Sequence, residues 1–105
     1  MKRGEIRWYK FNHPDKKRPV ILLTRDSAIE LINEITVAPI SSTVRNIPSE
    51  VMLTTEDGMR GDCVIQTDHL HTVPKGRLGT LITTLEPRRF DEVRTALLAA
   101  LGFRN

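Results

Sequence analysis

The sequence predicts a small, mainly β domain: a strongly curved sheet or partly open barrel with one C-terminal helix. Two observations predict it. Short apolar runs recur between turn-forming residues along most of the chain. Only the last stretch carries apolar residues at helical spacing. The 105 residues suffice for one domain, spanning 1–105, around one core. A hydrophobic content of 39% and a charged content of 28% describe a folded chain rather than a disordered one.

Each element has its own signal. Glu5 to Phe11 alternates, with Ile6, Trp8 and Phe11 apolar among charges, and reads as a half-buried strand. Asn12-His13-Pro14-Asp15 is a turn. Pro19 to Thr24 is a second strand, and its unbroken Val-Ile-Leu-Leu run predicts burial on both faces. Pro19 suits its first position, where no amide donor is needed. Asp26 or Ser27 can cap a short helix over Ala28 to Ile32, closed by Asn33. Ile35 to Ile40 is a third strand, in which Pro39 predicts an edge, a bulge or a bend. Ser41-Ser42-Thr43 forms a hydroxyl-rich turn, followed by a loop from Val44 to Pro48.

Val51 to Leu53 is a fourth strand, and Glu56-Asp57-Gly58 a turn with a position suited to positive φ. Asp62 to Thr67 is a fifth strand. Asp68 to Val73 either continues it or turns into a sixth. Lys75 to Leu78 is a loop or a single helical turn, and Leu81 to Leu85 the last strand. In the final helix Phe90, Val93, Leu97, Leu98 and Leu101 make one apolar stripe, with Ala96, Ala99 and Ala100 filling in. Pro87 fits its first position and Gly102 the residue just past its end.

The net charge of +3 tolerates a polyanionic partner without demanding one. Its placement says more. Lys16, Lys17 and Arg18 share one loop, Lys75 and Arg77 another, and Arg88, Arg89 and Arg94 lie near the last helix. Cys63 is the only cysteine, which rules out an internal disulfide and a cysteine-based zinc site and suits a reducing compartment. No signal core follows the basic N-terminus, and no apolar run could span a bilayer, so a cytoplasmic protein with no membrane partner is expected.

Most chemistries find no support. His13, His69 and His71 are too few and wrongly spaced for a zinc pattern, so no metal is expected. His69 and His71 would share a face if their segment is a strand, but an idle surface pair is the more common reading of such a pair. There is no Walker loop, no Gly-rich dinucleotide turn and no nucleophile elbow, and no cofactor is expected.

What remains is Arg18 before a rigid strand, and the hydroxyls of Ser41 to Thr43 after another. Asp68 follows a third buried run. A held guanidinium beside flexible ammonium groups suits phosphate. If the strands are neighbours, cation and hydroxyl converge on one rim and could stabilise a pentacoordinate phosphorane. RNA makes this feasible because its own 2′-hydroxyl is the nucleophile. Turn hydroxyls and a solvated charge are the plain alternative.

The same residues carry a resemblance. Gly4-Glu5-Ile6 with Trp8 resembles the opening Gly-Asp/Glu-Ile-Trp of MazF/PemK-type toxins, and Arg18-Pro19-Val20-Ile21 their Arg-Pro-Val-Val strand. Val37 to Ser42 is similar to their Val-Ala-Pro-Leu-Thr-Ser segment. Asp68 through Thr72 to Leu78 resembles their block from Asp-Gln-Ile-Arg to Ser-Arg-Leu, and Glu92 to Gly102 their final helix. No single motif decides, but their order spans nearly the whole chain.

The resemblance implies an SH3-like small barrel with a terminal helix, as in MazF and CcdB toxins, assembled as a homodimer. It implies the toxin of a type II toxin–antitoxin system, blocked by a cognate MazE-like antitoxin. The implied activity is metal-independent, sequence-specific cleavage of single-stranded RNA to 2′,3′-cyclic phosphate and 5′-hydroxyl ends. Whether mRNA, tRNA or rRNA is the substrate stays open. The family's catalytic arginine falls on Arg18 and its catalytic threonine on Ser41, while an aspartate functional in some members falls on Asp68. Candidate RNA contacts are Lys16, Lys17, His13, Ser42, Thr43, Asp68, His69 and Lys75.

Two departures bear on this. Only Asn12 to Lys17 intervene where the family's first loop is longer, which opens the groove and removes an acidic residue that Asp15 or His13 could replace. His69 and His71 stand where the family often has glutamine and arginine, which touches base preference more than the reaction. Two other readings share the fold. A non-catalytic CcdB-like toxin, acting on a protein such as gyrase, would need neither Arg18 nor Ser41. A plain RNA-binding barrel would want more aromatic surface than one tryptophan and one tyrosine.

Overall fold

The computed structural model describes residues 1–12 and 16–103, so the turn expected at Asn12 to Asp15 falls largely outside the described residues. The doubly buried run lies in β2 (Lys17–Leu22) and its next residue. Ile21 and Leu23 face one core with Ile6, Ala38, Ile40 and Ile65, whereas Val20 and Leu22 face a second with Tyr9, Ile35, Val37 and Val73. Alternate side chains of one strand thus feed two cores, as a continuous apolar run requires.

Such a strand needs partners on both edges. β1 (Glu5–Lys10) supplies one, from Ile6 opposite Ile21 to Lys10 opposite Lys17. β3 (Glu34–Ser41) supplies the other, with Val20 opposite Pro39 and Leu22 opposite Val37. β4 (Glu50–Leu53), β5 (Cys63–Gln66), β6 (His71–Pro74) and β7 (Leu81–Thr84) complete a seven-stranded sheet. Its order is β4-β5-β3-β2-β1-β7, with β6 also on β3, and every pair is antiparallel. This is the curved, mainly β architecture expected. α1 (Asp26–Ile29) adds Ile29 to the second core, and α2 (Phe90–Leu101) adds Val93 and Ala96 to the first.

Pro19 and Pro39 sit where a missing amide costs least. β2 begins two residues earlier than expected because Lys17 and Arg18 pair with Lys10 and Tyr9. Pro19 is therefore its third residue. Pairing with β3 starts only at Val20, so Pro19 lies where β2 has one neighbour. Pro39 is in the best-connected strand rather than at an edge. β3 pairs β6 up to Val37 and β5 from Ile40, and Pro39 lies in the gap where the neighbour changes. Of the three options its sequence position left, the bend between two partners fits.

Other elements shift for local reasons. α1 starts at Asp26 because the Asp26 carboxylate accepts from the Arg3 amide at 2.7 Å instead of capping the helix, and Arg25 takes the cap position. A single turn over Thr67–His69 separates β5 from β6, so His69 and His71 do not share a strand. Another turn, Pro87–Arg89, precedes α2, and Gly102 ends that helix at φ 78°. The expected apolar stripe is only half used. Ala96 is buried at 2% exposure while Leu101 stands 57% exposed. A small side chain lets α2 lie close enough for the Thr67 hydroxyl to reach the Ala96 carbonyl at 3.2 Å.

Gly4 fastens the start of the chain. Its amide donates to the Leu22 carbonyl at 2.8 Å and its carbonyl accepts from Leu85 at 2.9 Å. It does so at φ 93°, with Phe90 only 2.8 Å from where a Cβ would stand, so no other residue fits without strain.

Candidate nucleic-acid cleft

The face that buries the second core continues past it as the floor of a cleft. On β2 that face carries Leu22, Val20 and Arg18; on β3 it carries Val37, Pro39 and Ser41. The β2–β3 pairing ends at Val20 opposite Pro39, and Arg18 and Ser41 each lie two residues beyond that pair, on the same face of their strands. Tyr9 pairs with Arg18, which puts Phe11 on this face, and His71 joins it by pairing with Val37. The cleft has a volume of about 520 Å³ and is lined by Phe11, Asn12, Lys16, Arg18, Pro39, Ser41, Thr43, Arg45, Gln66, His69 and His71. A second hollow of about 510 Å³ shares Lys16, Arg18, Ser41 and Thr43 and extends past Lys17, Ser42, Met59, Arg60, Asp62 and Cys63. Arg18 and Ser41 therefore stand at the junction of the two.

The first hollow has a one-sided charge. Lys16, Arg18 and Arg45 line it, and among the described residues no carboxylate does. Among those residues, too, none of the three cations enters an ion pair. Arg89 shows the contrast. It donates to Asp57, Glu92 and the Met52 carbonyl, and its bonds to Glu92 and then Asp57 push its pKa up, so it is a structural clamp.

Ser41 ends β3, and its Oγ accepts the Thr43 amide at 3.0 Å. The hydroxyl keeps one proton to give, and the turn aims it. Beyond it, Glu50 Oε1 accepts the amides of Arg45 and Asn46 at 2.9 and 3.0 Å. Asn46 adopts φ 55°, a conformation asparagine tolerates, and the loop turns Arg45 to the cleft.

The expected site residues divide. Arg18, Ser41, Lys16, Thr43 and His69 line the first hollow, and Lys17 and Ser42 the second. His13 lies outside the described residues. Asp68 and Lys75 line neither hollow. The Asp68 carboxylate accepts the Ser49 hydroxyl, and the Lys75 ammonium donates to the Ile29 carbonyl at 2.6 Å, closing the end of α1. Each is held by a local polar group that its charge alone does not reveal. Conversely, Arg45, Gln66, Phe11 and His71 were not among the expected contacts. For Gln66, Phe11 and His71 the available signal was strand alternation, since each lies two residues from a buried one, Val64, Tyr9 and Val73 respectively.

Among the described residues no group of three or more histidine, cysteine or acidic side chains could hold a metal ion, and no helix is long and apolar enough to cross a membrane. Cys63, 8% exposed, has its thiol pushed up by burial and then by Asp57 and Asp62, which disfavours a thiolate nucleophile.

Fold and cleft together define a small curved β domain with an open cleft lined by cations and hydroxyls. Comparison with known proteins gives that class its family. Residues 2–101 match the PemK-like, MazF-like toxins of type II toxin–antitoxin systems, and the chain belongs to that family. It is 37% identical over 103 residues to the probable endoribonuclease MazF2 of Mycobacterium tuberculosis, covering 97% of this chain and 99% of that protein. It superposes on the Mycobacterium tuberculosis toxin MazF-mt6 with a TM-score of 0.88 at 29% identity, over 96% of this chain and 99% of that one. A mycobacterial endoribonuclease solved with its cognate antitoxin shares the fold at a TM-score of 0.86 and 22% identity, over 100% of this chain and 98% of that one.

Proposed function

We propose that the chain is an endoribonuclease toxin that cuts single-stranded RNA in the cleft, with Arg18 and Ser41 on the scissile phosphate. The observation that carries this reading is the shared lining: Arg18 and Ser41, from neighbouring strands, both line each of the two hollows and stand at their junction. An extended strand of nucleotides crossing that junction has room on both sides of one phosphate. The relatives named for ribonuclease activity support the same reading.

The chemistry asks little of the protein. The 2′-oxygen of the substrate forms a bond to phosphorus and loses its proton. The bond from phosphorus to the 5′-oxygen breaks, and that oxygen takes up a proton. Negative charge gathers on the non-bridging oxygens in between. Arg18 offsets it, and Ser41 donates a hydrogen bond to one of them. On the scale of an oxyanion-hole donor, the charged Arg18 contributes about 2.7–4 kcal/mol, or 10²–10³ in rate. Lys16, Lys17 and Arg45 hold the flanking phosphates. Thr43 and His69 offer further donors.

A MazE-like antitoxin that covers the cleft, a homodimer and a cytoplasmic location complete the reading. For the dimer, a cluster of Trp8, Pro19, Met59, Leu81 and Ile82 around a hollow of about 220 Å³, bordered by Arg60 and with Leu81 45% exposed, offers a mainly apolar face to a second copy. The test is purified protein with labelled single-stranded RNA in EDTA. The wild type should leave cyclic-phosphate ends. Arg18→Ala should lose at least about 100-fold in kcat with an unchanged melting curve, since Arg18 is exposed. Arg18→Ala cutting at the wild-type rate would remove Arg18 from the reaction. A wild type that leaves RNA intact would point to a protein target instead.

A further inference from the structure

Arg18 and Ser41 account for a phosphate, but the cleft also contains rings that a phosphate does not need. Phe11 and His71 both line it, with ring centroids 4.8 Å apart and planes tilted by 56°. They are not loose surface groups. Phe11 packs edge-on against Tyr9 at 4.8 Å, and Tyr9, 7% exposed, belongs to the second core. The Arg77 guanidinium lies 5.9 Å from the centre of the Tyr9 ring. Three rings thus run from the core to the cleft, each backed by the one before. His71 is the last of them. It is exposed, and pairing with Val37 fixes its backbone.

We propose that His71, backed by Phe11, is a nucleobase platform: an unpaired base adjoining the scissile phosphate stacks on the imidazole while Arg18 and Ser41 hold the phosphate. The proposal rests on the ribonuclease reading of the cleft and adds a reason for single-strand selectivity. A base within a duplex has both faces covered by its neighbours and cannot reach a ring on a cleft wall. A splayed base can, and an anchored ring loses little freedom when it is covered. The platform also fixes the register of the chain, because a stacked base leaves one phosphate over the Arg18–Ser41 pair. His71 acts here on binding and positioning, through its face.

The test uses a short single-stranded 2′-O-methyl oligonucleotide of mixed sequence with 2-aminopurine at its centre. Its methylated riboses have no nucleophile, so it is bound and not cut, and stacking quenches its fluorescence. Wild type and His71→Phe should both quench the probe. His71→Ala should lose the quenching and bind about 10-fold more weakly. On cleavable RNA, His71→Ala should raise KM by a similar factor with little change in kcat. Two results would overturn the platform: His71→Phe behaving like His71→Ala, which would mean that the imidazole nitrogens act by hydrogen bonding, or His71→Ala quenching like the wild type. Because the probe is never cut, a wild type that quenches it but cleaves no RNA would refute the ribonuclease reading and leave the platform standing.

Discussion

Replacing Ser41 with alanine removes one oxygen, and its bonding in the structure separates the two consequences. The first is for stability. Ser41 Oγ accepts the Thr43 amide at 3.0 Å, but Thr43 is exposed, so water takes over the amide. That loss should stay below about 0.5 kcal/mol, the range of surface changes that leave no buried group unpaired. The second is for the reaction. While its oxygen accepts from Thr43, the hydroxyl still has one proton to give, and in the proposed reaction the phosphate receives that hydrogen bond. A hydrogen bond to a charged group is worth about 1.5–3 kcal/mol, which converts to roughly 10- to 150-fold in rate.

The assay is single-turnover cleavage of labelled single-stranded RNA, with a thermal melt of each variant beside it. Ser41→Ala should lose that factor in kcat, because the bond tightens as charge builds on the oxygen. Ser41→Thr keeps the hydroxyl and adds a methyl at a half-buried strand end that accepts β-branched residues, so it should stay within a few-fold of the wild type. The reasoning fails if Ser41→Ala cuts at the wild-type rate. It fails equally if the whole loss appears in KM, since the oxygen would then hold the ground state and the transition state alike.

Three further outcomes follow from other parts of the molecule. RNA binding should weaken with salt, with a log–log slope of roughly −2 to −3 from Lys16, Lys17, Arg18 and Arg45, and Arg45→Ala should flatten it by about 0.7; an unchanged slope would place Arg45 off the RNA. Gly4→Ala should cost about 1–3 kcal/mol, because φ 93° and the nearby Phe90 ring both reject a Cβ, and a melt should show a Tm lower by roughly 5–15 °C. Burial pushes the Cys63 thiol up, so iodoacetamide at mildly alkaline pH should modify it far more slowly than in the urea-unfolded chain, and equal rates would contradict the burial. The sign for stability is the same: the contribution is full below the ordinary thiol value of 9.0 and declines above it, where the unfolded chain ionises first.

The strands were legible wherever burial is written in composition. Val20 to Leu23 admits one reading, since four consecutive apolar side chains on an extended chain must cover two cores, and they do. Pairing was not legible, and with it went the meaning of Pro19 and Pro39. Pro39 is tolerated in β3 only because β6 stops at Val37 and β5 starts at Ile40, a junction made by segments far along the chain. The helix stripe misled in the same way. Apolar spacing marks residues that could face the sheet, but curvature decides which do, so Ala96 is buried and Leu101 is left out.

The cleft repeats this division at the scale of single charges. Arg18 and Ser41 could be anticipated because each adjoins an apolar run that fixes its backbone, and a fixed backbone limits where a side chain can go. Lys75 and Asp68 looked equivalent to them in type, yet the Ile29 carbonyl and the Ser49 hydroxyl hold them elsewhere. Arg45 looked like a loop residue, yet it reaches the cleft because Glu50, five positions on, gathers the amides of Arg45 and Asn46. A polar side chain is thus committed or available according to which unsatisfied backbone group lies within its reach. That is a property of turns and helix ends rather than of residue type. The charges left over on one face, and the rings along its wall, are therefore what this cleft presents to solvent.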